Sequence, residues 1–116
     1  MSAERMRRVD EAMREVLSDV LTHDLKDPRV GFVTVTDVKT SPDLRHARVY
    51  VSVLGDPAAV EASLEGLRSA HGYLQGRVGS ELRLKNTPAL HFVHDDTAER
   101  AQRLERILQD RGDGPQ

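Results

Sequence analysis

From Leu44 to Leu54 the chain alternates without a fault. Ala47, Val49, Val51 and Val53 fall on one side, and His46, Arg48, Tyr50 and Ser52 on the other. A period of two is the pattern of a strand with one dry and one wet face. Such a strand needs a partner beside it and a layer over its apolar side. Upstream, Val30 to Val38 is β-branched, with Val33 and Val35 alternating against Thr34 and Thr36, and it reads as that partner. Ser41-Pro42-Asp43 joins the two runs as a turn, with Pro suited to the second turn position. So short a link predicts an antiparallel hairpin. The rest of the chain must cover its apolar face.

Helical patterns supply the cover. Met6, Val9, Met13, Val16, Leu17, Val20 and Leu21 recur at spacings of three and four, which predicts an amphipathic helix from about Glu4 to His23. Asp27-Pro28 stops it, because Pro cannot continue a helix and restricts the residue before it. Asp56-Pro57 has the form of an N-cap acid followed by Pro at the first helical position. The helix it opens buries Val60, Leu64 and Leu67. That pattern fails at Gly72, where a bend is expected, and restarts as Leu74, Val78 and Leu82. Arg83 to Thr87 reads as a connector, and Pro88 opens a third strand, Ala89 to Val93. Asp95-Asp96-Thr97 then offers an N-cap for a last helix carrying Ala98, Ala101, Leu104, Ile107 and Leu108. Arg111 to Gln116 is expected to be a flexible tail. The order is α-β-β-α-bend-α-β plus a C-terminal helix. The economical solution is α+β, with a three-stranded sheet, helices on one face, and the other face partly open. At 116 residues one domain is expected, over residues 1–110.

Composition narrows the chemistry. With no cysteine, thiol nucleophiles, zinc–thiolate sites and disulfides are excluded. No apolar run approaches the roughly 20 residues that span a bilayer, and the N-terminus lacks a signal-peptide core; a cytoplasmic protein is expected. Phe32, Tyr50, Tyr73 and Phe92 are the aromatics, too few for a platform of stacked bases. The formal net charge is −2, so any attraction for an anion must be local. Between Arg68 and His94 it is: Arg68, Arg77, Arg83 and Lys85 face the single acid Glu81, with His71, His91 and His94 besides. Arg45 and Arg48 flank the hairpin turn and extend the basic surface. Arg5, Arg7 and Arg8 are interleaved with Glu4, Asp10 and Glu11, which favours solvated ion pairs.

The acid–imidazole run His91-x-x-His94-Asp95-Asp96 contains metal-ligand types. An odd separation on a strand, however, sends the two histidines to opposite faces, and the two acids suit a helix N-terminus. No metal or cofactor is read from it. His71, Ser69 and Ser80 have no partner at catalytic spacing and no nucleophile-elbow context, so no enzymatic activity is expected.

Taken together, several stretches resemble the ribosome-binding factor A family. They are the Arg-rich first helix, Lys26-Asp27-Pro28-Arg29, and Ser41-Pro42-Asp43-Leu44 leading into Ala47-Arg48-Val49-Tyr50-Val51. Downstream come Ala70-His71-Gly72, Leu82-Arg83-Leu84, and Pro88-Ala89-Leu90-His91-Phe92 before Asp95-Asp96. The resemblance covers residues 5 to 108 and implies a type II KH fold. It also implies transient, non-catalytic binding to 16S rRNA in the immature 30S subunit, during late maturation that includes 5′-end processing. Other maturation factors, among them an assembly GTPase, act on the same particle in the family picture, and a monomer is expected. Some members carry a longer charged C-terminal tail, which the residues after Arg111 do not match. Most KH domains hold the nucleic-acid backbone with a GxxG loop. The resemblance replaces it with the tighter bend Ala70-His71-Gly72, while Gly76-Arg77-Val78-Gly79 is a literal GxxG inside the second pattern. Leu74, Val78 and Leu82 share a face only if the helix runs through those two glycines. The RNA-facing set implied is Arg68, Ala70, His71, Gly72, Arg77, Arg83 and Lys85, extended by Arg45 and Arg48. A different class of reading is a protein-interaction module that dimerises through a free sheet edge or the C-terminal helix.

Overall fold

The two alternating runs pair as expected, as strands β1 (Val33–Thr40) and β2 (His46–Val53), antiparallel from Val33 opposite Val53 to Thr40 opposite Ala47. The computed structural model describes residues 2–112, with side chains as far as Gln109. Met1 and the last four residues of the expected tail lie outside the described residues. A third strand, β3 (Ala89–His94), lies parallel to β2 and gives a mixed sheet in the order β1-β2-β3. The described residues also form the helices α1 (Ala3–Asp19), α2 (Pro57–Ser69), α3 (His71–Leu82) and α4 (Thr97–Gly112).

β1 starts and ends later than its β-branched composition suggests. Of the expected first residues, Val30 and Gly31 are held on α2 instead, and Phe32 only accepts the Leu54 amide at 3.0 Å. The Gly31 amide donates to Ser63 Oγ at 3.2 Å, and Val30 packs so closely on Gly66 that a Cβ there would come within 2.7 Å of it. At the far end Lys39 and Thr40 continue the ladder, and a bulge between Val35 and Asp37 keeps it in phase. Val35 and Val38 are three apart yet both buried, which a period of two forbids unless one residue is extra. The bulge also turns Thr40 inward and Lys39 outward.

α1 is capped by Ser2, whose Oγ accepts the Arg5 amide at 3.2 Å, and buries Met13 and Leu17. Its last turn widens into a π-helical segment, Val20–Asp24, closed by the Leu25 amide on the Val20 carbonyl at 2.8 Å. Asp10, expected among solvated ion pairs, ties α1 to the sheet. Its carboxylate accepts both the Thr40 amide (3.0 Å) and the Thr40 hydroxyl (2.6 Å).

α2 opens as its sequence predicts, with Asp56 accepting the Ala59 amide at 2.8 Å. The break between α2 and α3 falls on Ala70 alone, at φ −92° and ψ 6°, not on Gly72. Those angles lie in the bridge region, open to any L-residue, so the reversal needs no glycine, and Gly72 is the second residue of α3. Gly76 and Gly79 are helical too, which lets Leu74 and Val78 reach one core.

That core lies between the sheet and α1, α2 and α3. Met13, Leu17 and Val20 meet Val35, Val38, Val49, Val51 and Val53 from the sheet, with Leu64, Leu67, Leu74, Val78, Leu90 and Phe92 completing it. α4 stays outside this layer. Leu104, Ile107 and Leu108 on its apolar stripe remain 57%, 53% and 57% exposed.

Candidate nucleic-acid interface

The β1–β2 turn and the α3–β3 connector face each other across a cleft lined by Asp43, Leu44, Arg45, Leu84, Lys85, Asn86 and Thr87. The Ala89 amide, donating to the Arg45 carbonyl at 2.8 Å, fastens the two sides. Both walls carry backbone strain. Leu44 (φ 59°) and Arg83 (φ 52°), the residue before Leu84, are the non-glycine residues with positive φ among those described. Side chains there crowd the carbonyl at a cost of roughly 1–2 kcal/mol each, and such strain concentrates at functional sites. Arg45, Arg83 and Lys85 are exposed or half-buried, and among the described residues none has a carboxylate within ion-pair distance. Asp43 lies in the same cleft, with two hydrogen bonds on its Oδ1. It accepts from the Ser41 hydroxyl (2.6 Å) and the Arg45 amide (3.0 Å), which hold its pKa below the usual carboxylate range.

The α2–α3 junction gathers Arg68, Ala70, His71 and Gly72. His71 donates from Nδ1 to the Arg68 carbonyl at 2.9 Å and so caps the end of α2 with its ring. Arg68 is exposed and reaches Glu61 at 3.7 Å. Ala70 brings no side-chain acceptor to the start of α3, and a Cβ on Gly72 would meet nothing within 4 Å. The junction therefore presents bare backbone. Arg68 and His71 share a shallow pocket with Leu90, His91 and Phe92 at the β3 edge.

Arg77 is placed quite differently from the rest of the expected set. Its guanidinium donates to Glu81 (2.7 Å), to Asp24 at the end of the π-helical segment (2.7 Å), and to the Tyr73 hydroxyl (3.0 Å). These bonds, Glu81 first, hold its proton more tightly than usual. Two carboxylates neutralise it, and it joins α3 to the end of α1. The sequence concealed this because Asp24 is 53 residues away.

Arg48 also parts company with Arg45. It projects from the open face of the sheet, where a second groove contains Lys39, His46, Arg48, His91 and Val93. Lys39 and His46 were not among the expected residues; the signal for them was their place on the wet side of the hairpin, legible for His46 from the alternation of β2 and for Lys39 only once the β1 bulge fixes the register. His91 faces that groove, and His94 lies on the other side of β3 beside Glu99, 4.0 Å away. Asp95 accepts from the Thr36 hydroxyl (2.7 Å), the Thr97 hydroxyl and the Thr97 amide (3.0 Å). It thereby anchors α4 to the β1 bulge, and these bonds, led by that of Thr97, lower its pKa to about 2.

Comparison with known proteins decides the family. The family model described as ribosome-binding factor A matches residues 5–108. The chain belongs to the ribosome-binding factor A family. It is similar to a ribosome-binding factor A of Anaeromyxobacter sp. (strain K), 50% identical over 107 residues, covering 91% of this chain and 78% of that one. It is also similar to one of Halothermothrix orenii, 41% identical over 108 residues, covering 93% and 88%. Among solved structures, a putative ribosome-binding factor A of Thermotoga maritima aligns with a TM-score of 0.73 at 32% identity, over 84% of this chain and 92% of that one. The ribosome-binding factor A crystal structure from Thermus thermophilus aligns with a TM-score of 0.70 at 25% identity, over 77% and 93%. A homology model of the Thermus thermophilus ribosome-binding factor A, fitted into a cryo-EM map of a 30S complex, aligns with a TM-score of 0.63 at 26% identity, over 74% and 90%. The α+β arrangement found here is thus the KH-like fold of ribosome-binding factor A. Within that fold α2 and α3 meet at Ala70, and Gly76-Arg77-Val78-Gly79 is helix. Among the described residues no helix is long and apolar enough to cross a membrane.

Proposed function

We propose that this protein is a cytoplasmic ribosome-assembly factor. It binds the 16S rRNA of the immature 30S subunit transiently and assists late maturation, including 5′-end processing of the rRNA precursor. It catalyses no step itself and works beside other maturation factors such as an assembly GTPase. The observation that carries this reading is kinship to a protein whose coordinates were fitted in a 30S complex. The cleft supports it from the side of chemistry. Arg45, Arg83 and Lys85 have no carboxylate partner among the described residues and are free to replace counterions on phosphates. The open backbone at Ala70 to Gly72, beside Arg68 and His71, suits close approach of a sugar–phosphate chain. Arg77 is assigned to holding α3, not to RNA.

A rival reading, pairing of two copies, has the exposed stripe of Leu104, Ile107 and Leu108 behind it. Sucrose-gradient sedimentation with purified 30S and 70S ribosomes separates the two. Migration with 30S subunits, lost at high salt and absent from translating 70S particles, is expected. Migration at the top of the gradient as a dimer, with no protein in the 30S fractions, would overturn the assignment.

A further inference from the structure

Lys39, Arg48 and His91 stand in one row across all three strands, for Arg48 is the register partner of Lys39 on β1 and of His91 on β3. With strands about 4.8 Å apart, the row spans roughly 10 Å of the open face. Two like charges directly opposite each other on a sheet repel and destabilise it. Neither Lys39 nor Arg48 has an ion-pair partner among the described residues. Asp37, two residues from Lys39 on β1, shares a groove with it together with Asp95 and Asp96, whereas no acid lines the groove that holds Arg48. Asp37 accepts its neighbour's amide at Val38 (2.9 Å), and Asp43 serves Ser41 and Arg45. Beside the row, His46 Nδ1 meets His91 Nε2 at 3.0 Å. Two neutral imidazoles hold two N–H groups; one is spent between the rings and one remains outward, available to an acceptor. Arg48 also lies 5.9 Å from the Tyr50 ring centre, which steadies it over the sheet.

A like-charge pair without a direct ion pair, in a groove lined by no acid, points to an outside ligand. We propose that this row is a second contact for ribosomal RNA, taking backbone phosphates on the open face of the sheet, apart from the cleft at Arg45 and Lys85. Charge complementarity names the occupant: two fixed cations and an outward N–H match a phosphate backbone and repel another basic surface. His91 also borders the pocket of Arg68 and His71, so one strand of RNA crossing the β3 edge can reach both places. The inference rests on the rRNA-binding reading above.

The test measures the affinity of the full chain for purified 30S subunits against salt concentration. The variants are Lys39→Gln/Arg48→Gln and the charge-keeping exchange Lys39→Arg/Arg48→Lys. Removing two phosphate contacts should flatten the log–log slope by about 1.4–1.8 and weaken binding roughly tenfold or more near 0.1 M salt, and the exchange should leave both nearly unchanged. The thermal midpoint of the Gln variant should equal or exceed that of the wild type, because a like-charge pair has been removed. Failure of the wild type to bind 30S subunits would refute the rRNA reading itself. Wild-type binding with an unaltered slope in the Gln variant would refute the sheet contact alone. Altered self-association with unaltered 30S affinity would make this face a protein contact and refute it equally.

Discussion

Arg83 closes α3 in a left-handed conformation at φ 52° and ψ 43°, where glycine is the usual choice. An arginine there sacrifices backbone comfort and places an exposed charge one residue before the cleft wall at Leu84. Arg83→Gly should therefore raise stability by a few tenths to about 1 kcal/mol in urea denaturation, while lowering affinity for 30S subunits. A variant that is both more stable and fully competent would show the charge to be idle. The glycines of α3 separate in the same way. Gly72→Ala enters open space and should stabilise by about 0.5–1 kcal/mol, so any loss of 30S binding reports close approach of RNA backbone. Gly79→Ala collides with Thr87 and should cost about 1–3 kcal/mol, with Thr87→Ala restoring most of it. At this scale the sequence was least legible. Gly72 looked like the bend because glycine breaks helices, but the turn needs only a bridge-region residue, which Ala70 provides. Arg77 looked available because its acids are distant in the chain or one turn away. Neutralisation of a charge by tertiary partners leaves no local mark.

Among the elements, the hairpin and the stripes of α1, α2 and α3 were readable from periodicity, since one face of each must be dry. The errors sit where a tertiary contact overrides pattern. β1 loses Val30 and Gly31 to the Ser63 and Gly66 surface of α2, and gains Lys39 and Thr40 through the bulge and the Asp10 tie. α4 has the pattern of a core helix yet is joined to the fold chiefly at its start, through Asp95. That anchor has a pH signature. The folded carboxyl has its pKa depressed to about 2, below its ordinary value near 4, so its contribution is complete above about pH 4 and lost as pH falls through about 2. Asp95→Asn should be less stable than wild type at neutral pH, with the gap closing under acid denaturation. A gap constant from pH 7 to pH 2 would show that the carboxylate charge is not what holds α4. The clamp between α1 and α3 is expected to behave as a structural joint: Arg77→Ala should lower the thermal midpoint, and stabilising solutes should restore 30S binding. Loss of binding in a variant with an unchanged midpoint would return Arg77 to the RNA surface.

For the whole molecule, three helices cover one face of a three-stranded sheet, and Lys39, Arg45, Arg48, Arg83 and Lys85, without ion pairs among the described residues, lie at its turns and on its open face. A mildly acidic chain thus presents a local basic surface, and its grip on an RNA particle should be electrostatic and reversible. In the proposed reading Arg45, Arg83 and Lys85 supply that grip. The most direct measurement is the salt dependence of affinity for purified 30S subunits, comparing wild type with Arg45→Gln/Arg83→Gln/Lys85→Gln after circular dichroism has established an intact fold. Steep salt dependence is expected in the wild type and a slope flatter by about 2–3 in the variant, at 0.7–0.9 for each lost phosphate contact. Equal slopes and equal affinities in the two proteins would contradict it.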